Sequence, residues 1–190
     1  SNIAGEPLAT DGNGFVSRVR PDGEVLELRW IDGGTEGVEL NAPKGMALRG
    51  DTLYVADIDC VRMFHRTSGE PAGEVCFPDA SFLNDVAVDA GGTLYVTDMG
   101  VDASFQPTGS DAVYRFGPDG RRAKLAQGEH LGGPNGIAFG SRGGFVASNR
   151  SGEVYQLGAE GQKNPVIPES ERRLDGIVFT PDGGFLFSSW

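Results

Sequence analysis

Four residues with side chains suited to holding a cation or orienting a carbonyl recur along the chain at ring-like intervals. They are Lys44, Asn84, Asn135 and Asp175, separated by 40, 51 and 40 residues. Each opens a similar block: Pro43-Lys44-Gly45-Met46-Ala47-Leu48, Leu83-Asn84-Asp85-Val86-Ala87-Val88, Pro134-Asn135-Gly136-Ile137-Ala138-Phe139 and Leu174-Asp175-Gly176-Ile177-Val178-Phe179. In all four a polar residue precedes a small or acidic one and then a short apolar run. Asn and Asp offer hard oxygen donors, which suit a divalent cation such as Ca2+, Mg2+ or Mn2+ rather than zinc in a thiolate or imidazole cage, with zinc as the remaining candidate. Taken singly, any of these residues reads as a turn residue tolerant of left-handed geometry. Three oxygen-bearing side chains at equivalent places argue for a site, with Lys44 either an exposed lysine or an attractor of anionic product.

The elements that must position them follow from the same repeat. Each block is followed by a turn and a second apolar run with a polar end, as in Thr52-Leu53-Tyr54-Val55-Ala56-Asp57 and Thr93-Leu94-Tyr95-Val96-Thr97-Asp98. The equivalent runs later in the chain are Phe145 to Asn149 and Phe185 to Ser189. The remainder of each repeat reads as a hairpin, for example Ala112 to Phe116, the turn Pro118-Asp119-Gly120, then Arg121 to Ala126. Four short antiparallel strands in about 40 residues is the size of a β-propeller blade. No segment keeps a helical apolar period over three turns. The expected fold is therefore all-β, a single propeller domain over residues 1–190 with about four blades. Asp57, Asp98 and Asn149 should finish on the face of the site, as strand-end polar residues or as groups backing the ligands. The longer interval contains an insertion, residues 99–110, which leaves from that face as a cover or a mobile loop.

Composition narrows the function. The chain has 30 glycines and 11 prolines in 190 residues, too turn-rich for a helical bundle, while 38% is hydrophobic, too apolar for disorder. The net charge is −11 with no basic run, which argues against nucleic acid and anionic membranes as partners and leaves a small-molecule substrate. No stretch approaches the length of a membrane-spanning helix. Nucleophile-elbow, nucleotide-loop and zincin motifs are absent. His65 and His130 read as structural or solvent-exposed, Asp11-Gly12-Asn13-Gly14 as a poor match to a calcium loop, and the sequon Asn149-Arg150-Ser151 as a tight turn. Cys60 and Cys76 lie symmetrically about a hairpin turn near Ser68. They read equally as a disulfide in a periplasmic or secreted protein and as two thiols in a cytoplasmic one.

The chain opens where a second strand of a repeat has just finished and closes at the same point of the cycle. It should therefore carry a lone outer hairpin at its start and a lone inner hairpin at its end; either these halves meet and close a four-bladed ring, or the chain is an open piece of a larger ring, which a start and a stop inside structural elements favour. Its motifs Phe82-Leu83-Asn84-Asp85, Pro134-Asn135-Gly136 and Leu174-Asp175-Gly176 resemble the senescence marker protein, gluconolactonase and luciferin-regenerating enzyme family of six-bladed propellers. The resemblance implies metal-assisted hydrolysis of a small lactone or ester. It places metal ligands at Asn135 and Asp175, with Asp175 also catalytic, and a substrate contact at Asn84. The family's Glu ligand would come from strands before Ser1, so the site in this fragment is expected to be incomplete, with about a blade and a half outside it. Phe82 stands where some members have a substrate-contacting Arg, so sugar-lactone specificity does not carry over. The rival reading is a non-catalytic NHL-repeat-like propeller acting as a binding module.

Overall fold

The computed structural model describes Ser1–Trp190, and its regular structure is all β-strand apart from one 3-10 turn at Glu129–Leu131. An outer hairpin pairs β1 (Phe15–Val19) with β2 (Val25–Asp32). Three four-stranded antiparallel sheets follow. The first contains β3 (Pro43–Arg49), β4 (Thr52–Asp57), β5 (Cys60–His65) and β6 (Pro71–Cys76). The second contains β7 (Leu83–Val88), β8 (Leu94–Asp98), β9 (Ala112–Phe116) and β10 (Arg122–Gln127). The third contains β11 (Pro134–Gly140), β12 (Gly143–Ser148), β13 (Val154–Leu157) and β14 (Lys163–Ile167). An inner hairpin, β15 (Leu174–Phe179) with β16 (Phe185–Ser189), ends the series. Three whole blades between an outer and an inner half-blade is the arrangement the repeat phase predicts.

Blades adhere because each sheet buries both faces, and the period of two along a strand feeds two different seams. In β8, Leu94 and Val96 join the core shared with the preceding sheet, including Val61, Val75 and Phe77. Tyr95, between them, packs toward the next sheet with Ile137 and Val146. In β12, Val146 serves that seam while Phe145 and Ala147 face Leu174 and Ile177 of the final hairpin. There is consequently no central hydrophobic core. A row of inter-blade seams holds the inner strands β3, β7, β11 and β15 side by side in chain order.

Cys60 and Cys76 are directly opposite across β5 and β6 and form a disulfide. Of the two sequence readings, the bridge is the one adopted. Glu74 lies close to both sulfurs, but with the sulfurs joined to each other this group is not a metal site.

Candidate functional site

The four inner strands share one irregularity. Pro43 pairs with Asp57 and Met46 with Val55, so three steps on β3 oppose two on β4. The same shift separates Leu83–Asp98 from Val86–Val96, Pro134–Ser148 from Ile137–Val146, and Leu174–Ser189 from Ile177–Phe187. Each is a one-residue β-bulge, which frees residues from the ladder and re-aims their side chains. The residues freed are Lys44-Gly45, Asn84-Asp85, Asn135-Gly136 and Asp175-Gly176. All eight line a single cleft of about 920 Å³. The pattern of a polar residue followed by a small or acidic one is thus the signature of a bulge repeated in every inner strand.

In β3 and β11 the small second residue has a steric cause. A Cβ on Gly136 would lie 2.3 Å from the Asp175 carbonyl oxygen, and one on Gly45 would lie 2.0 Å from Asp85 Oδ1. Only glycine lets adjacent inner strands approach this closely at the bulge.

The lead-in to each bulge is held by buried carboxylates. Asp57 and Asp98, both 0% exposed, sit opposite the first residue of β3 and β7. Asp57 Oδ1 accepts the Ala42 N–H at 2.6 Å and also accepts from Asn41, while its Oδ2 takes Arg62 Nε at 3.2 Å. Asp98 accepts N–H groups from Ser81, Phe82 and Gly100 at 2.9 to 3.0 Å. These residues brace the backbone behind the cleft and do not line it. Asn149 is not their equivalent, because the register places Ser148 opposite Pro134. In that blade Asp111, from the lead-in to β9, supplies the carboxylate, accepting the Gly133 N–H at 2.7 Å and pairing with Arg150. Asn149, one residue further on, does line the cleft, and its Nδ2 donates to Leu174 O at 3.2 Å. The sequon is a turn, as expected, with its amide turned inward.

Within the cleft, Asn135 is 3% exposed and donates through Nδ2 to Leu174 O at 3.2 Å, which leaves Oδ1 as its uncommitted atom. Asp175 is half-buried and makes no side-chain hydrogen bond or ion pair. Asn84 is half-buried, with Nδ2 3.9 Å from Met99 Sδ. Lys44 is half-buried rather than exposed; its Nζ donates to Ala42 O at 3.0 Å and sits 4.4 Å from the centre of the Phe82 ring. Burial lowers its pKa to about 8, partly opposed by the charge of Asp57. Asp85 is the cleft residue that residue types alone did not single out. Its Oδ2 accepts the Ile137 N–H at 2.9 Å, tying β7 to β11. Burial pushes its pKa up to about 6, the Ile137 and Val86 N–H groups pull it down, and the charge of Asp175 raises it further. Its signal in the sequence was its place in the second half of the bulge pair.

Phe105, at φ 57° and 53% exposed, stacks at 5.7 Å on buried Phe82, and both line the cleft with Met99. Glu6 is exposed and does not line the cleft, and His65 ends β5 at the surface. Asn13 Nδ2 donates to Asp11 Oδ2 at 2.7 Å, while Asn13 Oδ1 is buried without a partner.

Bulged inner strands around a shared cleft define a β-propeller with a funnel site. Residues 21–146 match the family model of the SMP-30/gluconolactonase/LRE-like region, and the chain belongs to that family. No curated protein sequence matches it. Solved structures with a similar fold include virginiamycin B lyase from Staphylococcus aureus, at 14% identity and TM-score 0.68, covering 92% of this chain and 56% of that one. A protein assigned as a gluconolactonase aligns at 20% identity and TM-score 0.64, over 88% of this chain and 61% of its own. The nidogen/laminin complex contains a further match at 20% identity and TM-score 0.68, over 92% and 63%. The chain thus spans between 56% and 63% of the length of these three structures.

Proposed function

We propose that the cleft is the site of a divalent-metal-dependent hydrolase acting on a small lactone or ester. The observation that carries this reading is the bulge repeated in four inner strands, which delivers Lys44, Asn84, Asn135 and Asp175 to one cleft. The donor set fits a hard cation: Asn135 has a free carbonyl oxygen, and Asp175 is a half-buried carboxylate with no partner in the chain. Asn135 and Asp175 would hold the ion. When bound, a divalent cation supplies carbonyl polarisation and a lowered pKa for water. Asp175 accepts the proton released by the attacking water, and Asn84 orients the substrate by hydrogen bonding.

The test is elemental analysis together with hydrolysis of δ-valerolactone and p-nitrophenyl acetate. In the full-length protein about one equivalent of divalent metal and metal-dependent turnover are expected, with Asp175→Asn losing both. Protein without stoichiometric metal would instead favour a binding propeller of the NHL-like kind.

A further inference from the structure

The chain contains three lysines, and two of them are paired with carboxylates: Lys124 with Asp79 at 3.2 Å, and Lys163 with Glu153. Lys44 is the exception. It is half-buried, yet its one hydrogen bond is to the Ala42 carbonyl oxygen, and its charge rests against the face of Phe82. Asp57, the carboxylate that acts on it electrostatically, is already committed to Arg62 and to the backbone N–H groups of Asn41 and Ala42. A partly desolvated ammonium without a counter-ion is unfavourable, and an anion entering the cleft relieves that cost. Arg173, exposed on the cleft wall, makes no ion pair either, so the lining presents two cations without ion-pair partners beside the carboxylates of Asp85 and Asp175.

The surroundings say what should accompany the negative charge. Beside Lys44 the wall is built from Phe82, Met99 and Phe105, with Ile3 and Trp190 further along. Phe82 and Met99 are buried within a small apolar cluster with Val101. A polyhydroxylated ligand would find few hydrogen-bonding partners on that side, whereas an alkyl or aryl group would displace poorly held water from it.

We propose that Lys44, seated on Phe82, is the specificity-determining residue of the cleft and selects ligands carrying a carboxylate, or the incipient carboxylate of an ester, on an apolar body. The proposal rests on the reading of this cleft as the ligand site, and it names the ligand class: apolar acids and their lactones or esters. Lys44 fixes the anionic end, and the Phe82, Met99 and Phe105 surface takes the apolar body.

The experiment is calorimetric titration of the protein with 4-phenylbutanoate, its uncharged counterpart 4-phenylbutan-1-ol, and gluconate, first in EDTA and then in excess Ca2+. In EDTA, phenylbutanoate should bind about tenfold more tightly than either comparison ligand, the margin of one charge-assisted hydrogen bond. Lys44→Met, which keeps the apolar stem, should erase the preference over the alcohol, and Lys44→Arg should retain most of it. Equal affinity for acid and alcohol in the unmodified protein, or a preference that survives Lys44→Met, overturns the role of Lys44. Gluconate binding as tightly as phenylbutanoate overturns the apolar requirement. A Lys44-dependent preference in EDTA, in protein that never takes up Ca2+, supports this proposal while refuting the metal-dependent reaction.

Discussion

The backbone N–H of Phe82 donates to the fully buried carboxylate of Asp98 at 2.9 Å, across the first step of the β7–β8 ladder. That contact fixes both the ring on which Lys44 rests and the start of the bulge that projects Asn84. Asp98→Ala would leave the N–H groups of Ser81, Phe82 and Gly100 without their acceptor. It should cost about 3 kcal/mol of unfolding free energy, and Asp98→Asn, which can still accept, about half that. Urea denaturation measures the difference, and a loss below about 0.5 kcal/mol for the alanine variant would show that the carboxylate does not brace this segment.

Gly136 sets the spacing between β11 and β15. Because its added Cβ would meet the Asp175 carbonyl oxygen at 2.3 Å, Gly136→Ala should push the two strands apart. An overpacking cost of about 2 kcal/mol is expected, together with weaker ligand binding through the displaced Asp175. Thermal unfolding and titration of the variant check both; an unchanged melting temperature would contradict the close approach.

The Cys60–Cys76 bridge closes a hairpin with a sequence separation of 16. Reduction, or the Cys60→Ser/Cys76→Ser double variant, should lower the unfolding free energy by about 3 kcal/mol. Denaturation with and without dithiothreitol measures this, and coincident curves would contradict it.

Lys44 gives a pH-dependent prediction. Its folded pKa of about 8 lies below the ordinary value of 10.5, so between those values the folded state gives up its proton while the unfolded state retains it. This group's cost is therefore present in full below pH 8, and stability recovers as pH rises toward 10.5. Relative to Lys44→Met, the unmodified protein should gain about 1 to 2 kcal/mol between pH 7.5 and 10, a half-buried group realising only part of the full linkage. A pH-independent difference would place the ammonium in bulk-like solvent.

The blades were legible in the sequence because every blade must repeat the same alternation, turn and polar strand end. The half-blades at the two ends followed from the phase of that repeat. The bulges were visible only indirectly, as the polar-small pairs Lys44-Gly45 and Asn135-Gly136, since alternation along one strand does not reveal a register shift against its partner. Asp57 and Asp98 stayed ambiguous because a strand-end carboxylate looks the same whether it faces a ligand or a backbone N–H. The third whole blade misled more directly. Its carboxylate, Asp111, comes from the preceding blade, so the polar end Ser148-Asn149 was aligned one residue out. The burial of Lys44 depends on Phe82, and the contact of Asp85 with Ile137 spans 52 residues. Neither has a local trace.

The proposed metal site at Asn135 and Asp175, with Asn84 beside it in the same cleft, is tested most directly by paramagnetic broadening. Substoichiometric Mn2+ added to 15N-labelled protein should erase the backbone amide signals of Asn84, Asn135, Asp175 and Gly176 together, along with the side-chain amides of Asn84 and Asn135. Signals from the outer strands, such as Leu125 and Val166, should persist. Broadening centred on exposed carboxylates elsewhere, or none at the cleft, would contradict a shared metal site.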